Sequence, residues 1–96
     1  MTLEKASRVA EKVLAELRPF CLRAEIAGSI RRKKPFVKDV EIVAIRNLAR
    51  AFQLSVYLNG LGFVKGKPIG KYCQRILPSG IKLDVFFAEP ELWGNI

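Results

Sequence analysis

Asp39-Val40-Glu41 sits in a run rich in β-branched residues, and Asp84 sits among apolar ones in Ile81-Lys82-Leu83-Asp84-Val85. Strand side chains alternate, so 39 and 41 share one face while Val40, Ile42 and Ala44 take the other. Two carboxylates side by side repel, and a dication between them removes that penalty. An acid among apolar strand residues is costly unless it is paired or metal-bound. If the two strands are neighbours, Asp84 completes a cluster of three. Three carboxylates in a chain without histidine suit hard cations, Mg²⁺ or Mn²⁺. Two such ions, ~3.5–4 Å apart, serve the attacking and leaving oxygens of an in-line displacement at phosphorus. Taken singly, Asp39-Val40-Glu41 also fits an ordinary exposed strand face, and Asp84 also fits a pair with a lysine.

Upstream lies Gly28-Ser29-Ile30-Arg31-Arg32. Glycine lets a backbone N–H approach a phosphate, serine adds a hydroxyl donor, and arginine supplies a fork matched to phosphate oxygens. Its place just before the acidic pair makes the combination informative; alone, the arginines read as a solvated face. Lys33, Lys34 and Lys38 extend this basic connection. Lys65, Lys67 and Lys71 form another around Gly66 and Gly70. Lysines flanked by glycine suit contact with a nucleic-acid backbone, without base reading and with strong salt dependence. Tyr72 reads either as a base-stacking ring or as core. A net charge of +8, from 17 Lys/Arg against 9 Asp/Glu, favours polyanionic partners.

These groups need a scaffold. Apolar residues recur at three- and four-residue spacing over 2–18, with Thr2 as cap, Glu4 in the first turn and Pro19 as stop, which predicts a helix. Strands are predicted over 22–27 and 38–46. A helix follows from an Asn47 cap to 58, with Leu48, Ala51, Phe52, Ser55 and Leu58 as its inward stripe. A short strand is expected over 63–65, a loop over 66–70, and a hairpin of 71–77 and 81–87 about Pro78-Ser79-Gly80. That order reads as one α+β domain over 1–96, a small mixed sheet with two flanking helices. Cys21 and Cys73, widely spaced, read as reduced structural thiols of a cytoplasmic protein rather than a zinc site. The sequence has no ~20-residue apolar run for a membrane span, and its first residues do not read as the apolar core and cleavage site of a signal peptide.

The combined motif resembles the palm of the family X DNA polymerases, within the nucleotidyltransferase superfamily. It comprises Gly28-Ser29-Ile30-Arg31-Arg32, Asp39-Val40-Glu41 and Leu83-Asp84-Val85, over roughly residue 24 to the end. The resemblance implies a polymerase beta-like palm fold and transfer of a nucleoside monophosphate from a nucleoside triphosphate to a 3′ hydroxyl of nucleic acid, DNA favoured, with release of pyrophosphate. It implies that Asp39 and Glu41 hold two Mg²⁺ or Mn²⁺ ions. Asp84 would hold the catalytic ion and favour deprotonation of the attacking hydroxyl. Gly28, Ser29 and Arg32, with Arg31 in a structural or carboxylate-contacting role, would bind the β- and γ-phosphates. Lys82 stands where the family usually has an arginine and would tune the charge of Asp84. The sequence differs from the family pattern in Glu41, where aspartate is usual, and in Lys38, where a glycine amide grips phosphate. The thumb is missing, so the chain reads as a fragment or as a minimal transferase acting on RNA, a protein or a small molecule. A non-catalytic basic module that binds nucleic acid or nucleotide is the other class. Trp93 reads either as a partner surface or as packed on its own sheet.

Overall fold

The computed structural model describes residues 1–89; Trp93 lies outside the described residues. Helix α1 (Leu3–Leu17) starts at Thr2, whose side chain accepts from the Lys5 amide at 3.4 Å. It buries Ala6, Ala10, Val13, Leu14 and Leu17 on one stripe, as the spacing predicts. Pro19 falls in a 3-10 turn, Arg18–Phe20, where its missing amide ends the α-helical ladder. Strand β1 (Cys21–Ala27) leads into a one-turn helix, α2 (Gly28–Arg31), and then into β2 (Asp39–Arg46). The third helix, α3 (Ala51–Asn59), is followed by β3 (Gly62–Lys65), β4 (Tyr72–Ile76) and β5 (Lys82–Phe87).

The strands form one mixed sheet in the order β1-β2-β5-β4-β3. Only β2 and β5 run parallel, and every other neighbouring pair is antiparallel. A parallel pair needs a crossover, and α3 with β3 and β4 supplies it. The hairpin turns where glycine was expected to allow it, with Gly80 at φ +90° and the Leu77 amide donating to the Ile81 carbonyl at 2.9 Å. The fold is therefore α+β, with a five-stranded mixed sheet and two long helices.

Val40, Ile42 and Ala44 of β2, Leu83 and Val85 of β5 and Cys73 of β4 are wholly buried in one core with α1 and with Leu54 and Leu58 of α3. The Tyr57 hydroxyl donates to Glu16 at 2.7 Å, tying α3 to α1. Burial, and then the Glu16 carboxylate, raise the Tyr57 pKa, so the phenol stays a donor. Both long helices thus cover the same side of the sheet.

The second helix differs from its expected form. Asn47 caps a 3-10 turn, Leu48–Arg50, accepting from the Ala49 amide at 3.0 Å, and α3 begins only at Ala51. Three residues advancing ~120° each, rather than ~100°, turn the following helix by about 60°. Leu48 and Phe52, expected inward, are accordingly 81% and 77% exposed, and Leu54 and Leu58 fill the core. The 28–31 segment, expected as an open turn, is a helical turn whose Ile30 is buried in the core.

Candidate functional site

The parallel register decides where the carboxylates lie. Glu41 pairs with Asp84, and Asp39 with Lys82. Register partners on adjacent strands project to the same side, so Asp39, Glu41, Lys82 and Asp84 share the face opposite the helices. Neighbouring strands are about 4.8 Å apart and alternate residues about 6.7 Å along. The three acids therefore occupy two adjacent strands within one pleat of each other.

The glycine-serine segment sits against this cluster. Gly28 adopts φ +67°, and a Cβ there would overlap Glu41 Oε2. Only glycine gives both the left-handed backbone and the room for that carboxylate. Ser29 is half-buried, while Arg31, Arg32, Lys33 and Lys34 are exposed. The basic connection is fixed from behind. The Leu3 amide donates to the Pro35 carbonyl at 3.1 Å and the Val37 amide to the Met1 carbonyl at 2.8 Å. Val37 is buried.

Asp84 is only 6% exposed. Its Oδ1 accepts from the Tyr72 hydroxyl at 2.6 Å and from Gln74 Nε2 at 2.7 Å. Gln74 is its register partner on β4. The Tyr72 ring stacks on Phe86 with centroids 4.8 Å apart, and Lys65 Nζ lies 5.6 Å from its centre. Desolvation, then the bond to Asp84, then the charges of Asp84 and Asp39, push the phenol up to about 12. At neutral pH it is a donor. Tyr72 is thus neither a core residue nor an open stacking ring. The hairpin turn at 78–80 implied the 74–84 pairing, and alternation puts 72 on the same face. That signal was present in the sequence.

The second basic segment is assembled by two arginines. Arg75, 1% exposed, donates to the carbonyls of Lys65 (2.9 Å), Gly66 (3.0 Å), Gln74 (2.9 Å) and Leu58 (3.2 Å). Arg46 donates to the Pro68 and Gly70 carbonyls and stacks 3.9 Å over Phe87. Burial lowers its pKa. Gly66, at φ +82°, lies so close to the Tyr72 carbonyl that a Cβ would overlap it. With the carbonyls turned inward, Lys65, Lys67 and Lys71 are left exposed. Strand directions put this loop at the opposite end of the sheet from Gly28, and on the opposite edge. The register Ala27–Glu41–Asp84–Gln74–Lys65 runs between them. The acids lie between two basic flanks.

The donor chemistry and the register fit a divalent cation. As the side chains stand, no three Asp, Glu, Cys or His among the described residues form a ready metal-ligating group. Glu41 leans on Gly28 and Asp84 is held from β4 by Oδ1, so joint ligation takes rotation of the β2 carboxylates toward Asp84. Lys82 is exposed and, among the described residues, forms no ion pair with either aspartate. Both cysteines are free thiols, and no described helix is long and apolar enough to cross a membrane.

No family model matches the chain, and no curated protein matches it.

Proposed function

We propose that this chain is a metal-dependent nucleotidyltransferase of polymerase beta-like type. It would transfer a nucleoside monophosphate from a nucleoside triphosphate to a 3′ hydroxyl of nucleic acid, with DNA the favoured acceptor. The observation that carries this reading is the pairing of Glu41 with Asp84 on adjacent parallel strands, on the face that also bears Asp39 and beside the Gly28 turn. Mg²⁺ or Mn²⁺, two ions held by Asp39, Glu41 and Asp84, would neutralise charge at the attacking and leaving oxygens. The backbone at Gly28 with Ser29 and Arg32 would grip the β- and γ-phosphates, Arg31 assisting. Asp84 would lie beside the attacking hydroxyl and favour loss of its proton. The new bond joins that oxygen to the α-phosphorus as the bond to the β-phosphate oxygen breaks, and pyrophosphate leaves. Lys33, Lys34, Lys65, Lys67 and Lys71 on the two flanks would contact an acceptor backbone.

A non-catalytic basic module is the second reading. It is favoured by the side-chain positions of Asp84, already held by two donors, and of Glu41. Incubation with labelled nucleoside triphosphates, Mn²⁺ or Mg²⁺, and primed DNA, RNA and protein acceptors separates the two. The transferase labels one acceptor, and Asp39→Ala lowers the rate by ~10³-fold or more while leaving nucleic-acid binding intact. Absence of label on every acceptor, with binding weakened only by Lys33→Ala and Lys34→Ala, selects the module.

A further inference from the structure

Asp84 is held in an uneven way. Both of its donors act on one oxygen, Oδ1. Among the described residues, Oδ2 accepts no hydrogen bond. Among the described residues Arg46 Nε is the enclosed side-chain atom left without a partner, so Oδ2 is not sealed off: it keeps access to solvent and is the oxygen of Asp84 open to an incoming ligand.

The two donors are themselves fixed. Gln74 stands directly opposite Asp84 in the ladder. Tyr72 has its ring against Phe86 on one side and Lys65 near its face. Its carbonyl is packed against Gly66, whose own carbonyl Arg75 holds at 3.0 Å. A chain of contacts thus runs from the buried guanidinium, through the loop, to the phenol that grips the carboxylate. Rigid donors on one oxygen limit rotation about the Asp84 side chain.

We propose that Tyr72 and Gln74 are positioning residues that clamp Asp84 by Oδ1 and leave Oδ2 as its single ligating oxygen. The proposal rests on the nucleotidyltransferase reading of the same site and adds to it which atoms set the third ligand. Outer partners of this kind change metal affinity by ~10–100-fold when removed. A purely structural pair would change stability and leave affinity alone.

Mn²⁺ binding to the full chain without nucleotide, read from the free-ion electron paramagnetic resonance signal, tests this apart from turnover. Tyr72→Phe keeps the ring and its stacking and removes only the hydroxyl. Gln74→Met keeps volume and removes the amide. The expected result is Mn²⁺ affinity ~10-fold or more weaker in each variant, with thermal unfolding showing that both are folded. Asp84→Asn is the control for the site itself. If it weakens Mn²⁺ binding while Tyr72→Phe and Gln74→Met bind as the wild type does, the clamp is wrong and the site survives. If the wild type binds no Mn²⁺, or Asp84→Asn binds it equally well, the reading of the site fails and the clamp with it. Should one variant fail to fold, the other carries the decision.

Discussion

Among the described residues, Arg75 and Asp84 are the two buried charged side chains. They lie on neighbouring antiparallel strands, Arg75 opposite Leu83 and Asp84 opposite Gln74, and alternation sends them to opposite faces. Arg75 points to the helix side and meets four backbone carbonyls and no carboxylate. Those acceptors belong to β3, β4, the loop after β3 and the end of α3, so the guanidinium is a joint between elements. Asp84 points to the open side, where two side-chain donors take one oxygen. A buried charge whose hydrogen-bond partners are all backbone, with the Phe63 ring 5.0 Å from its guanidinium, is built for architecture. One with an oxygen to spare beside two other acids suits the proposed metal site.

Exchanging the charge for a neutral side chain of similar size breaks this comparison at each end. Asp84→Asn is expected to lower the proposed nucleotidyl transfer by ~10³-fold or more, equivalent to about 4 kcal/mol. Its folding stability should hold or rise, because an acid is removed from beside two others. Urea unfolding beside the label-transfer rate checks both. Arg75→Met should do the reverse. Hydrogen bonds to a charged group are worth ~1.5–3 kcal/mol each and do not add fully, so a loss of about 3 kcal/mol is expected. Transfer by the fraction that remains folded should fall far less than in Asp84→Asn. Equal stability losses in the two variants would erase the distinction.

The sequence made the open face more legible than the covered one. Alternation in β2 and the single acid of β5 located the carboxylates, because strand periodicity is rigid and a polar residue in an apolar run is conspicuous. The parallel order of β2 and β5 was not legible, since pairing of strands distant in the chain leaves no local pattern. Neither were the tasks of Arg75 and Arg46. A charged residue at an inward position looks like an error in alternation until the loop carbonyls that solvate it are seen. Helix α3 shows the limit from the other direction. Its apolar residues almost surround it, so period alone could not choose a stripe, and the 3-10 turn before it decided the matter. Leu54→Ala should therefore cost about 3 kcal/mol, and Phe52→Ser less than ~0.5 kcal/mol. Chemical denaturation of the two variants would reverse this order if the predicted stripe were the true one.

The two thiols extend the contrast to groups whose burial outweighs the positive charges near them. Both Cys21 and Cys73 are raised in pKa by burial, Cys21 to about 11, partly opposed by the Arg46 charge at Cys21 and by Arg75, then Arg46, at Cys73. Where Arg75 and Asp84 acquire hydrogen-bond partners, the thiols keep their proton. The folded state therefore favours the neutral form of Cys21, while the unfolded chain releases that proton near pH 9. The stability this contributes is complete below pH 9 and is lost as pH rises toward about 11, because unfolding then releases a proton. Urea midpoints at pH 8, 9.5 and 10.5 should fall more steeply for the wild type than for Cys21→Ala, the difference opening only above pH 9. At pH 8 the folded protein should also expose ~100-fold less Cys21 thiolate than a free thiol, and react with a disulfide reagent correspondingly slowly. A fast reaction there, or parallel pH curves for the two proteins, would show that Arg46 gives this thiol the partner that Arg75 and Asp84 have.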